Sequence, residues 1–222
     1  MKHIMNQDEK FVITINRELG SGGRTVGRKL AEKLGVEFFD KAVIKGLQEK
    51  YGLSVKEIER AKGSDHGWWA QFKRMVNFGG YESTAEFYSP QKGYHEMLDP
   101  KTMLKDEAEI LQAIAEEESC VVAGRSGFYV FRDHPNHLSI LVQASLDYRV
   151  ERVMQKQNMT EDEALKTIQL IDQMRENYVK ASAHTSRYDT RNYQLVISMD
   201  GLTEDDAVEM ILDYIGRCKK NR

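Results

Sequence analysis

Nine residues, Arg17-Glu18-Leu19-Gly20-Ser21-Gly22-Gly23-Arg24-Thr25, combine three glycines, two hydroxyls and two arginines between an apolar run and a helical pattern. Glycines remove side chains, so that backbone N–H groups can turn inward around an anion, and a helix that opens there adds its positive end. This is phosphate-binding chemistry, with Arg17, Gly20, Ser21, Gly22, Gly23, Arg24 and Thr25 forming the cradle. An ordinary strand-to-helix turn would explain one or two glycines, but not three with Ser21 and Thr25. A strict P-loop opens with a glycine and places Lys after its last required glycine. Here Arg17 stands at the first position and Gly23 at the lysine position, so both ends of the strict motif are missing. Arg24 is the candidate for the lost charge.

Other residues that could do chemistry are fewer. Asp40 ends a short apolar segment, where an acid can contact an acceptor sugar, a metal or its water, or simply cap the next helix. Arg125 follows an apolar run ended by Gly124, either to grip a phosphate or to form a surface ion pair. Two cysteines, Cys120 and Cys218, show neither metal nor redox spacing and read as reduced thiols. The six histidines form no triad or ligand set, and no dedicated metal-binding constellation is visible.

The elements that must position these residues follow from the apolar pattern. Residues 11–16 (Phe-Val-Ile-Thr-Ile-Asn) form a β-branched run typical of a strand buried on both faces of a parallel sheet. Val26, Leu30 and Leu34 recur every four residues until Gly35, which predicts a helix opening inside the glycine loop. Further strands are predicted over 36–40, 120–123, 137–144 and 193–199. Helices are predicted over 40–51, 54–62, 102–118, 146–157 and 160–181, and a last one begins at the cap Thr203. Strands alternating with helices imply a five-stranded parallel sheet with helices on both faces and a site beyond the strands' carboxyl ends. Residues 63–100 are punctuated by glycine and proline and rich in aromatics, an insertion that reads as a local core, as the contact of a homodimer or as aromatics able to stack on an acceptor's base.

At 222 residues the chain is read as one domain, residues 1–222. Hydrophobic content of 41%, charged content of 30% and no run near the ~18 apolar residues of a membrane span lead to the expectation of a soluble protein without a membrane partner. The absence of a secretory pattern at the N-terminus leads to the expectation of a cytoplasmic location. A net charge of −3 argues against a general nucleic-acid binder.

Gly20-Ser-Gly-Gly-Arg-Thr25 resembles the Gly-Ser-Gly-Lys-Gly-Thr of cytidylate kinases, with a glycine and a cation exchanged at the two middle positions. Through Gly27-Arg-Lys-Leu-Ala-Glu-Lys-Leu-Gly35 and Phe38-Phe-Asp40 the chain is similar to the cytidylate kinase-like family. The resemblance implies an α/β fold of P-loop kinase type, three-layered, with a helical insertion and a lid-like region over 146–191. Gly124 and Arg125 match the middle pair of the family's Asp-Gly-Arg-Asp segment near the acceptor nucleotide, although Ala123 and Ser126 replace both aspartates. Residues 144–152 look like the segment before the lid, and residues 172–178 look like the lid helix.

The likeness therefore implies an ATP-dependent phosphotransferase acting on a small acceptor, a pyrimidine nucleoside monophosphate such as CMP. Arg24, Arg149, Arg152, Arg175 and Arg187 are the catalytic candidates, and Asp40 and Arg125 the acceptor-binding ones. Guanidinium groups delivered by a closing lid would stabilise charge spread over the transferred phosphoryl group. Mg²⁺ is expected with the nucleotide, Thr25 being the nearest hydroxyl. The alternatives are a charged helix face for the arginines and, for the whole chain, a regulatory protein that binds a nucleotide or phosphate without turnover. A dinucleotide oxidoreductase is disfavoured because Thr25 occupies the third glycine position of that fingerprint.

Overall fold

The structure, a computed structural model, describes residues 5–40 and 100–220 of the chain. The helices expected over 40–51 and 54–62, and the aromatic insertion over 63–100, fall on 41–99, outside the described residues.

Strand β1 (Val12–Arg17) leads through the glycine loop into helix α1 (Gly23–Leu34), which Gly35 ends in a left-handed conformation, φ 66°. Strand β2 (Glu37–Phe39) follows. After the segment 41–99 come helix α2 (Pro100–Glu117), strand β3 (Cys120–Ala123), the short helix α3 (Gly127–Val130) and strand β4 (His137–Gln143). Helices α4 (Leu146–Gln157) and α5 (Glu161–Ala183) then stand in sequence, capped by Ser145 and by a Thr160–Glu163 capping box. A 3₁₀ turn (Thr190–Asn192), strand β5 (Leu195–Ser198) and helix α6 (Glu204–Lys220) complete the chain.

The sheet has the order β2-β3-β1-β4-β5 and every pair is parallel, as the alternating pattern predicts. Successive side chains of β1 point to opposite faces. Ile13 and Ile15 pack with Val26 and Leu30 of α1 and Val208 and Ile211 of α6, while Val12 joins Ile110, Leu111 and Ile114 of α2 on the other face. Each such fully buried aliphatic side chain contributes about 1.5–3 kcal/mol relative to exposure. Three layers result, with β1 central and its carboxyl end, Arg17, at the middle of the sheet's upper edge.

The short α3 has no counterpart in the sequence pattern, because four residues carry no helical period and it is entered through Ser126 at φ 50°. Helix α5 buries Ala164, Ile168, Asp172, Glu176, Val179 and Ala183, so two acids occupy its inward stripe.

Candidate active site: the glycine loop and its arginines

The loop leaves β1 held from two sides. In the sheet Arg17 pairs with Val142, and the Glu18 N–H donates to the Val142 carbonyl at 3.2 Å. Ser21 is fully buried, its hydroxyl within 3.0 Å of the Glu18 carbonyl and 3.1 Å of that of Val142. That hydroxyl, together with the Ser21 N–H, which donates to the Glu18 carbonyl at 3.4 Å, braces the loop from below. Gly20 and Gly22 take φ of 86° and 83°, conformations that side chains resist. A Cβ on Gly20 would lie 2.7 Å from the carbonyl oxygen of Arg149, so helix α4 rests directly on the loop.

Gly22 caps α1 without a side-chain acceptor, and the helix's first turn contains no acid. The opening N–H groups of a helix have no intrahelical acceptor, and they carry its positive end. Arg152 supports the same polarity, since its Nη2 would stand 3.3 Å from a Cβ on Gly22, while its guanidinium pairs with Glu204. Lys156, one turn further on α4, has its pKa pushed down by burial and then by Arg152, with Arg28 and Arg24 adding to the repulsion and Glu204 opposing it. The loop therefore meets a concentration of positive charge.

The remaining arginines divide into three places. Arg149, Arg175 and Arg187 meet Asp172: Arg149 Nη1 donates to Oδ2 at 2.6 Å, and Arg175 and Arg187 lie 3.5 and 3.4 Å from Oδ1. Arg175 and Arg187 also donate to the carbonyl of Arg17, the former at 3.2 Å. Arg149 Nε adds a 3.7 Å ion pair with Glu18, whose carboxylate accepts the Ala144 N–H at 3.1 Å. Arg187 is completely buried; burial lowers its pKa, Arg175 lowers it further and Asp172 opposes both. It holds the loop from beneath and does not face solvent.

Arg24 is elsewhere. Its Nε donates to Oδ2 of the buried Asp40 at 2.5 Å, joining the second residue of α1 to the end of β2. Arg125 is also engaged, paired with Glu107 of α2 and donating to the Tyr178 hydroxyl at 3.0 Å, while that hydroxyl lies 3.2 Å from Glu107. Burial raises the Tyr178 pKa, so the phenol stays protonated. The arginines stand out in the sequence as candidates, but the pairing of Arg149, Arg175 and Arg187 with Asp172, of Arg149 with Glu18 and of Arg125 with Glu107 does not. Of these Asp172 had a readable signal, an acid at the i+4 position after Ile168 in the inward stripe of a helix.

Among the described residues no group of three or more His, Cys, Asp or Glu side chains gathers as a metal site, and no helix is long and apolar enough to cross a membrane.

A five-stranded parallel sheet in this order, with a glycine loop between the central strand and its helix, defines a P-loop kinase-like α/β protein. Residues 12–201 match the family model described as the cytidylate kinase-like family, and the chain belongs to that family. It is 33% identical over 159 residues to a cytidylate kinase of a Thermotoga species, an alignment covering 66% of this chain and 70% of the relative. It is 31% identical over 109 residues, 49% of its length, to a uronate isomerase of Corynebacterium glutamicum, and that match spans only 21% of the isomerase. Among solved structures, an uncharacterized protein from Eubacterium ventriosum superposes with a TM-score of 0.67 at 22% identity, over 93% of this chain and 98% of the other, which shows a shared fold.

Proposed function

We propose that this chain transfers the terminal phosphoryl group of ATP to a small acceptor, a pyrimidine nucleoside monophosphate such as CMP. The observation that carries the reading is the uncapped N-terminus of α1 beneath Arg152, a preformed seat for the phosphates of a nucleotide. In this reading Arg149 and Arg152 flank the donor phosphates from α4, and Arg175 and Arg187 fix the loop's entry through the Arg17 carbonyl. Arg24, Asp40 and Arg125 stand toward the acceptor. ATP as donor fits a cytoplasmic protein.

The donor set fits a Mg²⁺ that arrives on the nucleotide: Thr25 offers one hydroxyl at the helix opening, and the nearby Asp40 is shared with Arg24. When bound, the ion would neutralise charge on the phosphates.

The test is release of ADP from ATP and Mg²⁺ in the presence of CMP, dCMP, UMP, AMP or GMP in turn. Turnover with one or two of them is expected, and none with any would sink the assignment. A second reading, nucleotide binding without transfer, draws support from the engagement of Arg125 by Glu107 and Tyr178. It predicts an ATP-dependent rise in melting temperature with no ADP released.

A further inference from the structure

The two departures from the strict P-loop are reciprocal. The motif has glycine first and lysine seventh, whereas this chain has arginine first, Arg17, and glycine seventh, Gly23. The structure joins the two positions. A Cβ on Gly23 would lie 2.6 Å from Cβ of Arg17, 3.3 Å from its Cγ and 3.0 Å from Cβ of Val142. No side chain, lysine included, fits at position 23 while Arg17 keeps its course.

The arginine continues across the upper edge of the sheet. Ile15 of β1 lies beside Ala123 of β3, which brings Arg17 and Gly124 to the same mouth. A Cβ on Gly124 would collide with Arg17 Nη1. Thus one glycine clears the stem and the other clears the guanidinium. The Arg17 backbone is fixed as well: its N–H donates to Asn16 Oδ1 at 3.0 Å, and its carbonyl receives Arg175 and Arg187. Arg24, by contrast, is drawn by Asp40 toward the end of β2.

We propose that Arg17 performs the work of the missing P-loop lysine, reaching across the loop from the first position of the motif to bind the terminal phosphates of a nucleoside triphosphate. A guanidinium keeps its charge and offers a planar fork of donors suited to phosphate oxygens. Its end beside Gly124 places that charge between the loop and the segment carrying Arg125. The proposal rests on the phosphotransferase reading.

The experiment measures binding of MgATP and MgADP by calorimetry and thermal shift in the unaltered chain and in Arg17→Gly, Gly23→Lys and the double variant Arg17→Gly/Gly23→Lys. Arg17→Gly should bind MgATP about 10- to 100-fold more weakly, the effect of removing a charge-assisted contact. Gly23→Lys alone should lose stability and gain no affinity. The double variant, which restores the strict order of glycine and lysine, should regain affinity to within about tenfold of the unaltered chain, a non-additivity expected only of positions that share one space. Arg17→Met, which keeps the stem over Gly23 and removes the charge, carries the same test if Arg17→Gly does not fold. Arg24→Ala should weaken binding less than Arg17→Met does. Unchanged affinity in Arg17→Met, or a double variant no better than Arg17→Gly, overturns the assignment of Arg17. Failure of the unaltered chain to bind either nucleotide overturns the proposed function itself, and with it this inference.

Discussion

Oδ1 of Asp172 accepts the backbone N–H of Leu19 at 3.0 Å, so a carboxylate on helix α5 is tied directly to the glycine loop 153 residues earlier in the chain. The same side chain balances Arg149, Arg175 and Arg187, three guanidiniums against one carboxylate, with Glu18 as a more distant second acid. Asp172 therefore joins the loop's backbone to the arginines around it. An arrangement with more cations than anions around an uncapped helix end is suited to a polyanion.

Removing that carboxylate should be costly. Asp172→Ala leaves buried guanidiniums without their counterion, a change worth about 3–5 kcal/mol in comparable buried pairs. Asp172→Asn, which keeps an acceptor for the Leu19 N–H, should cost less. Urea unfolding of the three proteins measures both, and a loss below about 1 kcal/mol in Asp172→Ala would show that Asp172 is not the hub.

What the sequence made legible was local. The run 11–16, the glycines and the four-residue spacing after them are short-range signals, and β1, the loop and α1 lie where those signals put them. The parallel sheet followed from alternation of elements. Partner choice was not legible, because Arg24 and Asp40 are 16 residues apart and Arg125 and Glu107 18, and nothing in either spacing distinguishes a phosphate ligand from an ion pair. The use of Gly23 was hidden for a related reason. Its meaning lies in the stem of Arg17, six positions before it, which only the turn of the loop brings so close that a Cβ on Gly23 would lie 2.6 Å from it.

The engagement of Arg125 makes a separate prediction. Glu107→Gln should destabilise the chain by leaving Arg125 unpaired at a site where both side chains are under 10% exposed. If Arg125 serves the acceptor, an anionic ligand can then supply the missing charge. CMP should raise the melting temperature of Glu107→Gln more than that of the unaltered chain, and equal shifts would count against an acceptor role for Arg125.

The two thiols should differ sharply in reactivity. Burial, with a smaller contribution from Glu118, pushes Cys120 up to about 12, whereas Cys218 near the end of α6 is only half-buried. Since the thiolate is the nucleophile, iodoacetamide at about pH 8 should label one cysteine in the folded chain and both after unfolding, as counted by mass spectrometry. Rapid labelling of Cys120 in the folded chain would contradict the packing of β3.

Acid should loosen the start of the helix that carries Arg149 and Arg152. Asp200, after β5, accepts the Ser145 N–H at 3.0 Å and the Ser198 hydroxyl at 2.6 Å, and these bonds, Ser145's first, bring its carboxyl from 3.8 down to about 2. The Ser145 hydroxyl is the largest cause of that fall, ahead of the Ser198 hydroxyl and the Ser145 N–H, so the folded state favours the ionised form. Its stabilising contribution is complete above about pH 4 and is lost as the pH falls toward about 2. Asp200→Asn should therefore melt below the unaltered chain at neutral pH, with the gap narrowing between about pH 4 and about pH 2. Melting curves across that range measure it. A gap that stays constant would mean that Ser145 does not draw on the charge of Asp200, and that the N-cap of α4 stands on its own hydroxyl.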